Sequence, residues 1–426
     1  GRRACALPFS RFYDTLGGRE NKAAAGAAKP QKERWIFMMD REPLIYIDRQ
    51  NTDCCKWDGT LRQFGQEGLL PLWVADMDFQ CPACVRLAVN AWAAHGAFGY
   101  YQVPEHYYDA FLRWEKEEHG LTLEREWIRF SPGIVSAIYW LVQLCTRPGD
   151  PVTVLTPVYY PFLNAIRDNG RELSPCDLRT DGAGRWTIDF DKLDSQLDRT
   201  GSKLLIFSSP HNPVGRVWRR DELETLCRIC EKHGVRILSD EIHQDLILGD
   251  HPHIPTQSLE LGQVVTLASA SKTFNLAGLK NSFVVIPDPE LREKYDVFAR
   301  NLSVVDGPSV GYIAAEAAFR GGKPWLRSLL QQVGENYQAA CARLAEELPA
   351  AVVAPLEGTY LLWVDLRPYV APDRVHAVVQ DACGLAVDYG EWFGGEDYRG
   401  YIRLNLATSL DNVMLALDRL IAALTD

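Results

Sequence analysis

Short apolar runs punctuate the chain between residues 150 and 290: Val152–Leu155, Leu204–Phe207, Val235–Leu238, Val264–Leu267 and Phe283–Ile286. Most are continuously apolar. A strand with one wet face alternates, whereas a strand covered on both faces does not. The gaps hold stretches with helical spacing. In Arg220–Gly234, Leu223, Leu226, Cys227 and Cys230 fall on one face, and His233-Gly234 closes the segment. Glycine there adopts the left-handed cap that stops a helix. Alternating βα units predict a doubly wound α/β domain with a mostly parallel sheet.

After residue 300 the pattern changes. A long helical region over 308–347 precedes two strand-like runs, Tyr360–Leu366 and Tyr401–Leu406, with helices expected at 371–383 and 410–424. This predicts a smaller α+β domain. The resulting division is a large α/β domain over 81–300 and a small domain over 36–80 together with 301–426. Residues 1–35 are poor in apolar periodicity and read as a poorly ordered extension, with Met38-Met39 as an alternative start.

Composition narrows the classes. The chain has 426 residues, 47% hydrophobic and 24% charged, with a net charge of -11. That balance argues against nucleic acid and anionic membrane surfaces as partners. No apolar run approaches the roughly 20 residues of a membrane helix. Eleven cysteines, an odd number, and no signal-peptide pattern point to a reduced, cytoplasmic setting. Cys81/Cys84 and Cys227/Cys230 have CxxC spacing, but the second pair lies on an apolar helix face and neither has a histidine pattern beside it. Core packing outweighs zinc, and no metal is expected.

Polar chemistry gathers where the apolar runs end. Val152–Leu155 leads into Thr156-Pro-Val-Tyr-Tyr-Pro161, and Leu204–Phe207 into Ser208-Ser-Pro-His-Asn-Pro-Val-Gly215. Val235–Leu238 leads into Ser239-Asp-Glu-Ile-His-Gln-Asp245, and Val264–Leu267 into Ala268-Ser-Ala-Ser-Lys-Thr-Phe-Asn-Leu276. Upstream, Ser131-Pro-Gly-Ile-Val-Ser136 opens an apolar helix. Ligands of open α/β sheets sit beyond the carboxyl ends of strands. Lys272 is the telling residue. A partly desolvated amine loses its proton readily and attacks an aldehyde. Taken singly, each segment has a bland reading as a loop, a turn or a solvated charge.

Together these segments resemble the fold-type I pyridoxal phosphate enzymes, the aspartate aminotransferase superfamily, over nearly the whole chain after residue 40. Pro71–Phe79, Phe98–Tyr101, Asp240–Asp245 and Ser269–Gly278 resemble its cystathionine β-lyase or cysteine C–S lyase branch. The resemblance implies roles. Lys272 holds the cofactor and shuttles a proton, and Asp240 pairs with the pyridine nitrogen. Asn212 donates to the ring oxygen, and His243 either reaches the same edge or caps the following helix. Tyr159 stacks on the ring, with Tyr160 as its competitor. Ile134 and Val135 N–H groups bind the phosphate at a helix N-terminus, joined by Ser269 and Ser271. Lys280 stands where many relatives carry an arginine. Arg403 either clamps the substrate α-carboxylate or makes an edge-strand ion pair. Tyr100 reaches the phosphate or substrate of a neighbouring subunit, so a homodimer is implied. The implied reaction is α,β-elimination from cystathionine or another cysteine S-conjugate. An aminotransferase and a non-catalytic regulator with this fold are the rivals.

Overall fold

The computed structural model describes residues 40–259 and 262–425; the extension expected over 1–35 lies outside them. Seven strands form the main sheet: β1 (Ile128–Ser131), β2 (Pro151–Thr156), β3 (Glu172–Asp177), β4 (Leu204–Ser208), β5 (Arg236–Asp240), β6 (Val264–Ala268) and β7 (Ser282–Val285). Their spatial order is β1-β7-β6-β5-β4-β2-β3. Five neighbouring strands run parallel, and only β7 is antiparallel to both neighbours. The carboxyl ends of β1, β2, β4, β5 and β6 therefore meet at one edge.

The continuous apolar runs become strands because both faces are covered. Every residue of β4, β6 and β7 is buried. On one face, Val154, Ile206, Leu238, Val265 and Val284 pack against Ile138, Leu141 and Val142. Those three lie in the helix Ile134–Cys145. On the other, Phe207 and Ile237 pack with Leu223, Leu226, Cys227 and Cys230 of the helix Arg220–His233. The second CxxC pair is thus core.

The edge strands β1 and β3 escaped the reading because their partly exposed residues break the apolar signal. The direction of β7 escaped it too. Residues between β6 and β7 stay at one sheet edge in two short turns, Ala270–Thr273 and Ala277–Leu279. A parallel return needs a crossover of a dozen or more residues back along the sheet.

A second, antiparallel sheet has the order β8-β9-β11-β10, from Val352–Val353, Leu361–Asp365, Tyr401–Asn405 and Asp388–Tyr389 respectively. Its register sets Arg403 between Trp363 and Asp388. The pair Leu70–Pro71 adds a parallel contact to Leu385–Ala386, which ties the 70s segment to this part of the chain.

Of two helix expectations, only the helix over 371–383 needs correction. The helical region expected over 308–347 is present as two helices, Ser309–Gly321 and Lys323–Glu347. They part at Gly322, where a Cβ would sit 2.5 Å from the Phe274 ring and 2.6 Å from the Ala318 carbonyl. The stretch 371–383 is a 3₁₀ turn at Pro372–Arg374 followed by a π-helical turn at Ala377–Ala382. There the Cys383 N–H reaches back five residues to the Val378 carbonyl.

Candidate active site

At the shared strand edge lies a cavity of about 250 Å³ lined by Lys272, Asp240, His243, Asn212, Tyr159, Ile134, Val135, Ser271 and Lys280. Eight of these were singled out as cofactor ligands from sequence, and the register explains the gathering. Ser208 pairs with Asp240 and Asp240 with Leu267 across the parallel strands, so the segments that follow begin at one level.

Lys272 sits in the short helical turn after β6 and donates from Nζ to the Ala75 carbonyl at 2.6 Å. Burial lowers its pKa to about 8. The charges of Asp76 and Asp240 oppose that fall, while those of Arg403 and Lys280 add to it. Asp240, at the end of β5, is raised to about 7 by burial. The Ile242 N–H, 3.1 Å from Oδ1, and the Lys272 charge resist the rise. His243 is buried, held well below the usual histidine range by burial and then by the charges of Lys272 and Arg403, so it is neutral. Tyr159 lines the cavity, with burial raising its pKa. Tyr160 instead packs on Phe393 at 5.7 Å and Trp392 at 6.0 Å.

Ile134, also in the cavity lining, begins its helix after Gly133, and the first in-helix bond is Ala137 N–H to the Gly133 carbonyl at 3.1 Å. The earlier N–H groups of this helix are open donors, aided by its dipole. Ser271 and Lys280 line the same cavity. Ser269 does not join them. Its hydroxyl donates to the Asn281 carbonyl at 2.8 Å, accepts from Ser271 N–H at 3.1 Å and lies 3.0 Å from the Ser271 hydroxyl, so it caps the Lys272 turn beside the cavity. A serine in that cap position competes for the local backbone before it can reach a ligand.

Arg403 is buried one layer behind the cavity. Its Nη1 donates to Asn212 Oδ1 at 2.9 Å and its Nη2 to the Trp73 carbonyl at 3.0 Å. Nη2 also pairs with Asp388. The expected ion pair exists, but not at an edge: β11 lies between β9 and β10, and the pair is buried. Asn212 links Arg403 to the cavity. Tyr100 lies away from the cavity of its own chain and is fully exposed.

Four contributors were missed. Ala75 supplies the carbonyl that meets Lys272 and also the Tyr360 hydroxyl, at 2.9 Å; backbone groups leave no mark in sequence. Asp388 sits in a two-residue strand without a motif. Asn281 and Ser282 line the cavity because β7 starts at this edge, which only its antiparallel direction explains.

The donor set fits one ligand type. Open N–H groups, a hydroxyl and an ammonium suit a phosphate. A buried acid without an ion-pair partner among the described residues suits a basic ring nitrogen, a depressed amine suits an aldehyde, and a tyrosine wall suits an aromatic ring. Two buried wall atoms, His243 Nδ1 and Asn281 Nδ2, have no partner among the described residues.

Comparison with known proteins agrees with this geometry. Residues 68–420 match the family model of aminotransferase class I and II. Cystathionine beta-lyase PatB of Bacillus subtilis is 38% identical over 89% of this chain and 98% of its own. Cystalysin of Treponema denticola, whose structure contains pyridoxal 5'-phosphate, superposes with a TM-score of 0.86 at 33% identity, over 91% of this chain and 99% of its own. The PLP-bound C-S lyase of Staphylococcus hominis gives 0.85 at 31% identity, over 91% and 98%.

Proposed function

Because the chain belongs to the aminotransferase class I and II family, we propose that it is a pyridoxal-phosphate-dependent C–S lyase acting on cystathionine and other cysteine S-conjugates. One observation carries the reading: Lys272, Asp240, Asn212 and the Ile134 helix start line one cavity, in a chain similar to C–S lyases along most of its length.

The Ile134 and Val135 N–H groups, Ser271 and Lys280 hold the phosphate, and Tyr159 backs the ring. Pyridoxal phosphate, when bound, supplies an aldehyde that captures amines and a ring that accepts the electrons left by a departing α-proton. Asp240 keeps the ring nitrogen protonated. The cation it gains there returns its own pKa toward the ordinary carboxylate range. Asn212, with Oδ1 engaged by Arg403, would offer its amide nitrogen to the ring oxygen, and His243 would serve the same edge. Lys272 Nζ takes the substrate α-proton. Its pKa of about 8 puts a useful fraction in the free-base form near neutrality. Arg403 and Asn212 hold the α-carboxylate, which orients Cα–H toward Lys272 and the Cβ–S bond for departure. The net reaction converts cystathionine and water into homocysteine, pyruvate and ammonia.

The same residues serve transamination, and the family's own description keeps that reading in play. The two diverge in whether sulfur leaves Cβ or a proton returns to the cofactor side.

The protein acts as a homodimer in this proposal. The exposed Leu87, Phe98 and Tyr100 support it, with Tyr100 reaching the other subunit's site. A two-domain division at residues 80 and 300 is supported by the separate sheets and the Leu70–Leu385 pairing. A cytoplasmic setting is supported by the described cysteines, all free thiols. Among the described residues, no helix is long and apolar enough to cross a membrane.

Borohydride reduction of the cofactor-loaded protein followed by peptide mapping tests the assignment. The pyridoxyl group is expected on Lys272; finding it on another lysine would overturn the site.

A further inference from the structure

The carboxylate clamp is already engaged by a carboxylate. Asp388 and Arg403 are cross-strand partners in β10 and β11. Their side chains form an ion pair with only 1% and 2% of each exposed. Unused capacity lies on the same two groups: Arg403 Nε and Asp388 Oδ1 are buried without a partner among the described residues.

We propose that Asp388 is a specificity-determining residue that surrenders Arg403 to an incoming α-carboxylate and takes up one proton as it does so. This rests on the reading of Arg403 as the clamp. Two carboxylates sharing one guanidinium in a space closed to water would leave a net negative charge unpaired. Burying such a charge is unfavourable, and a buried acid escapes it by protonation. Asp388 is close to that point: burial raises its pKa to about 6 even with Arg403 opposing the rise. When the guanidinium turns to the ligand, that opposition weakens and the pKa climbs further.

The groups facing Asp388 are few. Arg403 comes from β11, and the Trp73 carbonyl meets the same Arg403 nitrogen. Tyr159 and Tyr160 come from the segment after β2. Burial raises both, Tyr160 to about 12, and the charge of Asp388 adds to the rise. Both phenols stay protonated near neutrality and remain so, so the proton comes from solvent. Its uptake balances the charge brought by the ligand, and no covalent bond other than the new O–H of Asp388 changes. The device favours ligands bearing one carboxylate at the clamp and discriminates against dianionic groups there.

The test uses the cofactor-loaded protein and propionate, a carboxylate without an amine. Calorimetry at pH 7.5 in phosphate and in Tris, which differ in ionisation heat, counts protons. The expected result is uptake of nearly one proton per propionate, with affinity falling about tenfold per pH unit between pH 7 and 8. In Asp388→Asn the uptake disappears, the affinity becomes independent of pH, and binding at pH 8 tightens at least about tenfold, one unit on that same linkage slope. Wild-type binding without proton uptake overturns the proposal, as does uptake that persists in Asp388→Asn. The wild-type measurement decides even if the variant does not fold, and Asp388→Ser serves as a second variant. Arg403→Ala separates the two levels. Weakened propionate binding keeps the clamp, whatever happens to Asp388. Unchanged binding removes the clamp and this proposal with it.

Discussion

Lys272 Nζ donates to the Ala75 carbonyl at 2.6 Å across 197 residues of sequence. The wall that carries Ala75 is fastened by side chains around the same site. Asn275 donates to the Met77 and Phe79 carbonyls, both at 3.0 Å, and accepts from Met77 N–H at 3.1 Å. Asn405 donates to the Val74 and Asp76 carbonyls at 2.6 Å. The amine and the substrate-side wall are therefore positioned as one unit.

Asn275 should be sensitive for two reasons. It makes those three bonds, and its φ of 59° lies in the left-handed region. Asn275→Ala should destabilise the fold by about 2–4 kcal/mol, combining lost hydrogen bonds with backbone strain. Asn275→Gly removes the bonds without that strain. Urea melts of the two variants separate the terms, and equal losses would show that the backbone conformation contributes nothing.

Asp240 should trade stability for function. Its folded pKa of about 7 lies above the ordinary 3.8. Such an acid binds extra protons when folded, so its contribution is full below the unfolded value and lost as pH rises through about 7. In cofactor-free protein, Asp240→Asn should raise Tm relative to wild type at pH 8, with the difference shrinking at pH 5. The same variant should lose about 10²–10³ in elimination rate, because the electrostatic partner of the ring nitrogen is gone. A Tm difference that does not vary with pH would mean that the carboxyl is not held protonated.

Capture of aldehyde by the cofactor-free protein should report Lys272 directly. Only the free amine reacts, and its pKa is about 8. The second-order rate with pyridoxal phosphate should climb about tenfold per pH unit below pH 8 and level off above it. Stopped-flow absorbance follows it. A rise continuing to pH 10 would indicate an ordinary, solvated lysine.

Arg403→Ala should affect the amino acid more than the cofactor, since pyridoxal phosphate lacks a carboxylate for it to meet. Loss of a buried charge-assisted contact costs about 2–5 kcal/mol, so kcat/KM should fall well over tenfold. Cofactor occupancy, read by absorbance after dialysis, should stay near wild type. Cofactor loss with unchanged substrate affinity would make Arg403 a structural partner of Asp388 alone.

Much of the main sheet was legible because burial on both faces writes continuous apolar runs, and the helix Arg220–His233 announced itself by its periodic face and glycine stop. The edge strands around Arg129 and Glu172 were not, since half-wet strands carry polar residues. Lys272, Asp240, Asn212 and Tyr159 were legible because each follows an apolar run whose end a parallel sheet aligns. Ser269 carried the same local signal but spends its hydroxyl on capping. Asp388 left none, and Ala75 only its place within Pro71–Phe79: one acts through cross-strand register and the other through a backbone oxygen. Such contributions exist only after distant segments have met.

The most direct measurement supplies L-cystathionine to the cofactor-loaded protein and quantifies pyruvate, free thiol and, with 2-oxoglutarate present, glutamate. The account predicts pyruvate and homocysteine in equal amounts, little glutamate, and neither product from Lys272→Ala. Rapid glutamate formation without pyruvate would contradict it, leaving the cofactor site in place and moving the chemistry to amino transfer.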